Sequence, residues 1–193
     1  MLILPSSWTT AYGGPEGRAR LEALLLAVAG GDREALAALY QSTRGAVYGL
    51  ALSLLRSREE AQDVTQDAFV RIWEKAPQYR PQGSPMAWML AVVRNLALMR
   101  LRERGRFQPL AEEEWDAIPA RAPGVTPEDR ALLQTALGRL GDRERQVILL
   151  HAVSGLKHRE IAALLELPLA TVLSQYRRGL KKLKRAMEGE QPL

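Results

Sequence analysis

The chain has 193 residues, 27 Lys plus Arg against 22 Asp plus Glu, a formal charge of +5 and no cysteine. That length holds one medium domain or two small ones, since domains commonly run about 100 to 150 residues, and the lack of Cys excludes a disulfide framework, a thiolate metal site and a cysteine nucleophile. With 47% hydrophobic and 25% charged residues the chain can bury a core, and its cationic balance points to a polyanionic partner without locating it.

The apolar start Met1 to Leu4 is broken by Pro5 and follows no cation, so it lacks the parts of a secretory signal. No window approaches the roughly 18 uninterrupted apolar residues of a membrane span, and the expected location is the cytoplasm. Residues 5 to 19, with Pro, Ser, Thr and Gly, read as a loose N-terminal tail. Beyond them Ala, Leu, Glu and Arg dominate and apolar residues recur at three and four, the pattern of an all-α protein. A helix is expected over about 21 to 29, stopping at Gly30-Gly31. Asp32 then caps a longer one through Leu55, with Leu36, Leu39, Tyr40, Val47, Leu50 and Leu54 as its inward stripe. Ser57 with Glu60 makes a capping box for a third helix, which ends before Pro77. Residues 76 to 83, APQYRPQG, form a loop, and Ser84-Pro85 opens a helix that runs to about Arg104.

On a helical wheel the third of these helices, SREEAQDVTQDAFVRIWEK over 57 to 75, turns Ala61, Val64, Ala68 and Ile72 inward. Glu59, Asp63, Asp67 and Glu74 form one edge around an exposed Val70. Acids in the first turn suit the helix dipole, which explains Glu59 and Glu60 but not Asp67 or Glu74. An acidic ridge on a basic chain repels nucleic acid and is better suited to docking a protein. The next helix is apolar from Met86 to Val93 and then carries five Arg against one Glu between 94 and 106. Trp73, Tyr79, Arg80, Gln82 and Trp88 interleave aromatic and polar groups around the loop before it. Aromatics beside cations are how proteins hold unstacked single-stranded bases, although Trp73 or Trp88 taken alone is more often simply core.

From Phe107 to Pro127 the chain has four prolines, an EEEWD run and one cation, Arg121, with no helical period. This is an acidic, flexible linker. Helices are then expected near 127 to 138, 142 to 153, 158 to 165 and 169 to 187. Residues 158 to 185, HREIAALLELPLATVLSQYRRGLKKLKR, place a short amphipathic helix, a break holding Pro168 and a longer cationic helix in sequence, which is the layout of a helix-turn-helix. Val172, Tyr176, Leu180, Leu183 and Met187 share one quadrant of the second helix with Leu169. The opposite face holds Ser174, Arg177, Arg178, Lys181, Lys184 and Arg185. Between 171 and 187 there are six cations and no acid. In a major groove Thr171, Ser174, Gln175 and Arg178 would lie near base edges, with Lys181, Lys182 and Arg185 on phosphates. His151 and His158, seven apart without a third ligand, read as ordinary surface or capping residues rather than a metal site. No cofactor is expected.

In order, ALYQSTRGAVYGLALSLL, EEAQDVTQDAFVRIW, SPMAWMLAVVRNLA, a linker, and LLQTALGRLGDRERQVILLHAVSGLKHREIAALLELPLATVLSQYRRGLKKL strongly resemble the extracytoplasmic-function (ECF) sigma factors of the sigma-70 family. The resemblance covers about residues 30 to 106 and 128 to 187. It implies two small helical domains: a tail at 1–19, region 2 at 20–106, the linker at 107–126 and the region 4 helix-turn-helix at 127–193. By that resemblance Asp63, Gln66, Asp67 and Val70 dock on the β′ clamp helices of core RNA polymerase. Tyr79, Arg80, Gln82, Ser84, Trp88, Arg94, Asn95, Arg100, Arg102 and Arg104 melt and hold the −10 element. Region 4 reads the −35 duplex through Thr171, Ser174, Gln175, Arg177, Arg178, Lys181, Lys182 and Arg185, and touches the β flap. The acidic linker resembles the segment that threads the RNA path of the polymerase. An anti-sigma factor is a further implied partner, suited to apolar surface at Leu169 or Leu173.

The sequence departs from the family pattern at Met86 and Met99, where a basic and an acidic residue are common, at Leu173 and Gln175, where cations are usual, and at Leu169, which replaces an acid. The rival reading is a self-sufficient helix-turn-helix regulator with an N-terminal sensor domain, which gives no reason for both an acidic ridge and an aromatic-basic loop. An enzyme is the weakest alternative, because no phosphate loop, nucleophile elbow or metal cluster is present in the sequence.

Overall fold

A computed structural model describes Tyr12 and residues 14–103 and 135–187, and every regular element among them is helical. In chain order these are α1 (Pro15–Ala29), α2 (Arg33–Leu55), α3 (Arg58–Lys75), a 3-10 turn (Ala76–Gln78), α4 (Pro85–Glu103), a helical turn at 135–138, α5 (Asp142–Ala152), α6 (His158–Leu165) and α7 (Leu169–Met187). The linker expected at 107–126, Arg104 and the first part of the helix expected from 127 lie outside the described residues.

The helix starts follow side-chain chemistry. Asp32 Oδ1 accepts from the N–H groups of Glu34 and Ala35 at 2.8 and 3.0 Å, satisfying two donors that a helix start leaves orphaned. Ser57 Oγ accepts from Glu60 N–H at 3.4 Å, and Ser84 Oγ from Ala87 N–H at 3.3 Å. Pro85 opens α4, where its missing N–H costs nothing.

Two local expectations need correction. Residues 15–19 are helical rather than part of a loose tail, because extended Gly14 caps α1 and Pro15 takes its first position. Read as breakers, that glycine and proline are a start signal instead. Tyr40, expected on the inward stripe of α2, is exposed and rests the edge of its ring on Phe69, with centroids 4.8 Å apart. Leu39, Val47 and Leu50 carry the burial on that helix.

In the first unit α2 packs against α1, α3 and α4. Leu25, Leu39, Ile72, Met86, Met89, Leu90, Val47, Val64 and Val93 are fully buried, each large apolar side chain contributing about 1.5 to 3 kcal/mol. In the second unit α7 packs on α5 and α6. Gly179 sets that approach: a Cβ there would lie 2.5 Å from Ile148 Cδ1 and 3.2 Å from Glu144 Cβ. The buried Arg145 guanidinium donates to the carbonyls of Leu137, Gly138 and Leu140 at 2.8, 3.2 and 3.0 Å, tying the turn before α5 to the helix.

The two units touch. α2 meets α5 and α4 meets α6, and Val147, Leu150, Leu156, Ile161, Leu164, Leu165 and Val172 join the apolar cluster of the first unit. Among the described residues no helix is long and apolar enough to cross a membrane.

Candidate nucleic-acid interface

α6 ends at Leu165, and Glu166 turns the chain with a left-handed φ of 55°. Leu167 N–H donates back to Ala162 O at 3.0 Å, and Pro168 O receives the N–H groups of Thr171 and Val172 at 2.9 and 3.2 Å. The turn therefore ends one helix and starts the next within three residues. On α7, Val172 and Leu183 are buried, while Tyr176, Leu180 and Leu169 are half-buried against α5 and α6. The side chain of Met187 lies outside the described residues. Ser174, Arg177, Arg178, Lys181, Lys182, Lys184 and Arg185 are exposed, and Thr171, Leu173 and Gln175 half-exposed.

Ser174 and Lys182 are already engaged. Ser174 Oγ donates to Thr171 O at 2.9 Å. Lys182 Nζ donates to Glu144 Oε2 at 2.7 Å, and Glu144, whose carboxylate also accepts from Gly141 N–H, is buried. Burial by itself pushes the Glu144 carboxyl upward, but the hydrogen bonds from Lys182 and Gly141 and the nearby Arg178 more than offset this and hold it below the usual carboxylate range.

The loop before α4 separates buried from presented groups. Tyr79 is only 5% exposed, with its ring edge-on to Trp88 at 5.3 Å. Its hydroxyl titrates above its ordinary value, through burial and then through Glu22. Its ring is thus core, whereas Trp88 is half-exposed. Apolar context on both sides of the loop explains the difference: α1 packs on the 3-10 turn that leads into Tyr79. Ser84 is likewise buried and serves as the cap of α4. Arg80, Pro81, Gln82 and Gly83 are exposed between them, with Arg80 Nη1 folded back to the carbonyls of Pro77 and Tyr79. Of the two methionines where the sequence departs from the family pattern, Met86 is core and Met99 is exposed.

Asn95 and Arg102 on α4 are exposed, and Arg94 and Arg100 half-exposed. Arg94 pairs with Glu166 at 2.9 Å and Arg100 with Asp67 at 3.5 Å. On α3, Asp63, Gln66 and Asp67 are exposed beside Val70, which is 58% exposed, whereas Ala61, Val64, Ala68 and Ile72 are buried. The acidic ridge and its apolar centre thus stand on one outer face of the first unit.

His151 and His158 are half-buried members of one ring cluster rather than ordinary surface or capping residues. Their rings stack with centroids 4.6 Å apart, and Tyr176 lies edge-on to both at 5.0 and 4.6 Å. His151 Nδ1 bonds Leu156 O at 2.8 Å. Their seven-residue spacing crosses the α5–α6 turn, so only the fold brings them together. The contacts of Glu160 and Glu166 with the first unit were also missed, and pairs 142 and 72 residues apart leave no local signal.

Comparison with known proteins agrees with this division. Residues 39–107 match the family model Sigma-70 region 2, and residues 130–183 match Sigma-70, region 4. The chain is similar to the ECF RNA polymerase sigma factor SigK of Mycobacterium sp. (strain KMS), with 32% identity over 175 residues, 86% of this chain and 90% of the relative. It is 29% identical over 183 residues to SigK of Mycobacterium tuberculosis, covering 91% of this chain and 98% of the relative. Among solved structures it shares the fold of CnrH in complex with the cytosolic domain of CnrY, with a TM-score of 0.58, 24% identity, and 89% and 99% of the two chains covered. It also shares that of the sigma factor RpoE in complex with the anti-sigma factor NepR from Bartonella quintana, with a TM-score of 0.56, 22% identity, and 79% and 96% covered. With an acidic ridge on one helical unit, a helix-turn-helix on the other and both sigma regions in order, the chain belongs to the ECF group of sigma-70 factors, which direct RNA polymerase to promoters.

Proposed function

We propose that this sigma factor divides its contacts by charge. Asp63, Gln66, Asp67 and Val70 on α3 meet the clamp helices of core polymerase. Arg80 and Gln82 of the loop, with Trp88, Arg94, Asn95, Arg100, Arg102 and Arg104, hold the melted −10 strand, while Tyr79 and Ser84 shape the loop from beneath. The cost of unstacking a base, about a few kcal/mol, is offset by stacking on Trp88 and by phosphate contacts. On α7, Thr171, Gln175 and Arg178 read the −35 duplex, and Arg177, Lys181 and Arg185 grip its phosphates. Lys182, engaged by Glu144, serves more to hold α7 on α5, and Ser174 contributes least while its hydroxyl remains on Thr171 O. The observation that carries this reading is the opposition of the acidic ridge on α3 to the exposed cations of α4 and α7.

The chain supplies no chemistry of its own, and it acts where polymerase and chromosome are, in the cytoplasm. The tail, region 2, linker and region 4 divide as 1–19, 20–106, 107–126 and 127–193, with α1 beginning inside the nominal tail. An anti-sigma factor would inhibit by covering the α3 ridge or the half-exposed Leu169 and Leu173. Transcription in vitro with core polymerase on a promoter library tests the whole reading. Initiation that depends on the chain and selects common −35 and −10 sequences is expected. Tight duplex binding by the free chain at moderate salt, with no affinity for core, would instead make it a stand-alone regulator.

A further inference from the structure

Met99 is the large apolar side chain of α4 that the fold leaves uncovered. Among the described residues it is 51% exposed, while Met89, Leu90, Val93 and Ala97 of the same helix are buried. Trp88, Asn95, Met99 and Arg102 follow one another along α4 at intervals of seven, four and three residues. At 3.6 residues per turn they fall within about 60° of one another, on the side opposite buried Leu90, Val93 and Ala97. Trp88 is half-exposed, and Asn95 and Arg102 are exposed. Arg94 and Arg100 leave this stripe to either side, one for Glu166 and the other for Asp67. The stripe therefore presents a ring, an amide, a thioether and a guanidinium in order, over about 21 Å of helix at 1.5 Å per residue.

The proposed function gives Trp88, Asn95 and Arg102 to the −10 element. Met99 lies between the amide and the guanidinium, so DNA held by both passes over it. Its own chemistry limits what it can touch there. A thioether is at most a weak acceptor and carries no donor, so it satisfies neither a phosphate nor the polar groups of a base edge. Glu103, exposed four residues farther on, repels phosphate from the same spot. Base edges offer one apolar substituent, the C5-methyl of thymine. It projects into the major groove of a duplex and from the edge of an unpaired base alike, and covering it removes apolar surface of both partners from water.

We infer that Met99 reads a thymine of the −10 element by covering its C5-methyl, and so is a specificity-determining residue of this sigma factor. This rests on the assignment of α4 to the −10 element and adds a base preference to it. Arg102 attracts a phosphate whatever the sequence, whereas Met99 discriminates only where a methyl group is present. The competing use of an exposed methionine at melting DNA is as a wedge between base steps. A wedge is indifferent to that methyl.

The probe is a promoter selected by the holoenzyme, core polymerase with this chain, from a library randomised over both elements. Each thymine of its −10 element, on either strand, is then replaced singly by deoxyuridine, which lacks only the methyl group. At one position this change is expected to weaken holoenzyme binding about three- to fivefold, the worth of one buried methyl group. Met99→Ala should bind the thymine promoter more weakly by a similar factor and lose the distinction between thymine and uracil at that position. Met99→Leu, still apolar, should retain it. Affinity for core and helical content should stay unchanged in both variants, because the side chain is exposed.

A holoenzyme that treats thymine and uracil alike at every position overturns the inference. So does a preference for thymine that persists in Met99→Ala, which would place the methyl against another residue, or a loss in Met99→Ala that is equal on both templates, the mark of a wedge. Arg102→Ala separates the two levels. Weaker promoter binding and a salt slope lower by about 0.7 to 0.9 in that variant, with discrimination intact in Met99→Ala, refute the methyl contact alone. Unchanged promoter binding in both variants removes the α4 assignment and the methyl contact with it.

Discussion

Arg100 Nη2 lies 3.5 Å from Asp67 Oδ2, joining the cationic end of α4 to the acidic ridge of α3. Arg100 is half-exposed and Asp67 exposed, so the pair contributes about 0 to 1 kcal/mol to stability. In the proposed function the two residues face different partners, polymerase and promoter.

Charge reversal of the ridge, Asp63→Lys with Asp67→Lys, is expected to abolish binding to core polymerase while leaving the helical content and melting temperature nearly unchanged, because both side chains are exposed and every buried residue of α3 is retained. Affinity for core measured by fluorescence anisotropy, beside a circular dichroism melt, checks this. Unchanged affinity in the double variant would refute the ridge as the docking face.

Arg178 and Lys182 are both cations of α7, yet they should respond differently to truncation. Arg178→Ala removes a proposed base-edge contact and is expected to weaken −35 duplex binding by about 1 to 3 kcal/mol and relax its sequence preference, with little change in folding. Lys182→Ala leaves the buried Glu144 without its main partner and should destabilise the second unit by about 1 to 3 kcal/mol. Urea titration alongside binding to matched and mismatched −35 duplexes distinguishes them.

The stacked histidines give the second unit a defined pH response. Burial first, and then His151, hold the His158 imidazole below the ordinary 6.5. The unfolded chain therefore binds this proton more readily than the folded chain, and stability is complete above about pH 6.5 and declines as pH falls below it. His158→Phe keeps a ring against Tyr176 and removes the titration. The difference in melting temperature between about pH 7.5 and about pH 5.5 should shrink in that variant, and an undiminished difference would assign the response to other groups.

Gly83 has a φ of 153° with no atom near its missing Cβ, so any penalty of substitution there is conformational rather than steric. Gly83→Val should cost about 1 to 3 kcal/mol of local backbone strain or redirect the loop. Open-complex formation by holoenzyme should fall, and a template melted in advance across the −10 region should restore part of it. Core affinity is expected to stay the same.

Much of the fold was legible from local chemistry. Asp32, Ser57 and Ser84 are cap residues whose oxygens meet helix N–H groups, and the apolar stripes of α3 and α7 follow the 3.6-residue period. Both are decided within four residues of chain. The acidic ridge was legible for the same reason, since a helix face is fixed by spacing alone. Tyr79 was not: an aromatic between Gln78 and Arg80 looks presented, and only α1 and Trp88 closing over it make it core.

By itself, then, the sequence determined the helices, their charged faces and the order of the two sigma regions, because caps, periodicity and charge act over short distances. Tertiary structure alone decided which charges are available. Lys182 is held by Glu144, Arg100 by Asp67 and Arg94 by Glu166, across separations of 38, 33 and 72 residues. Such pairs form only when packing of the apolar faces brings the helices together, and no local pattern encodes that arrangement.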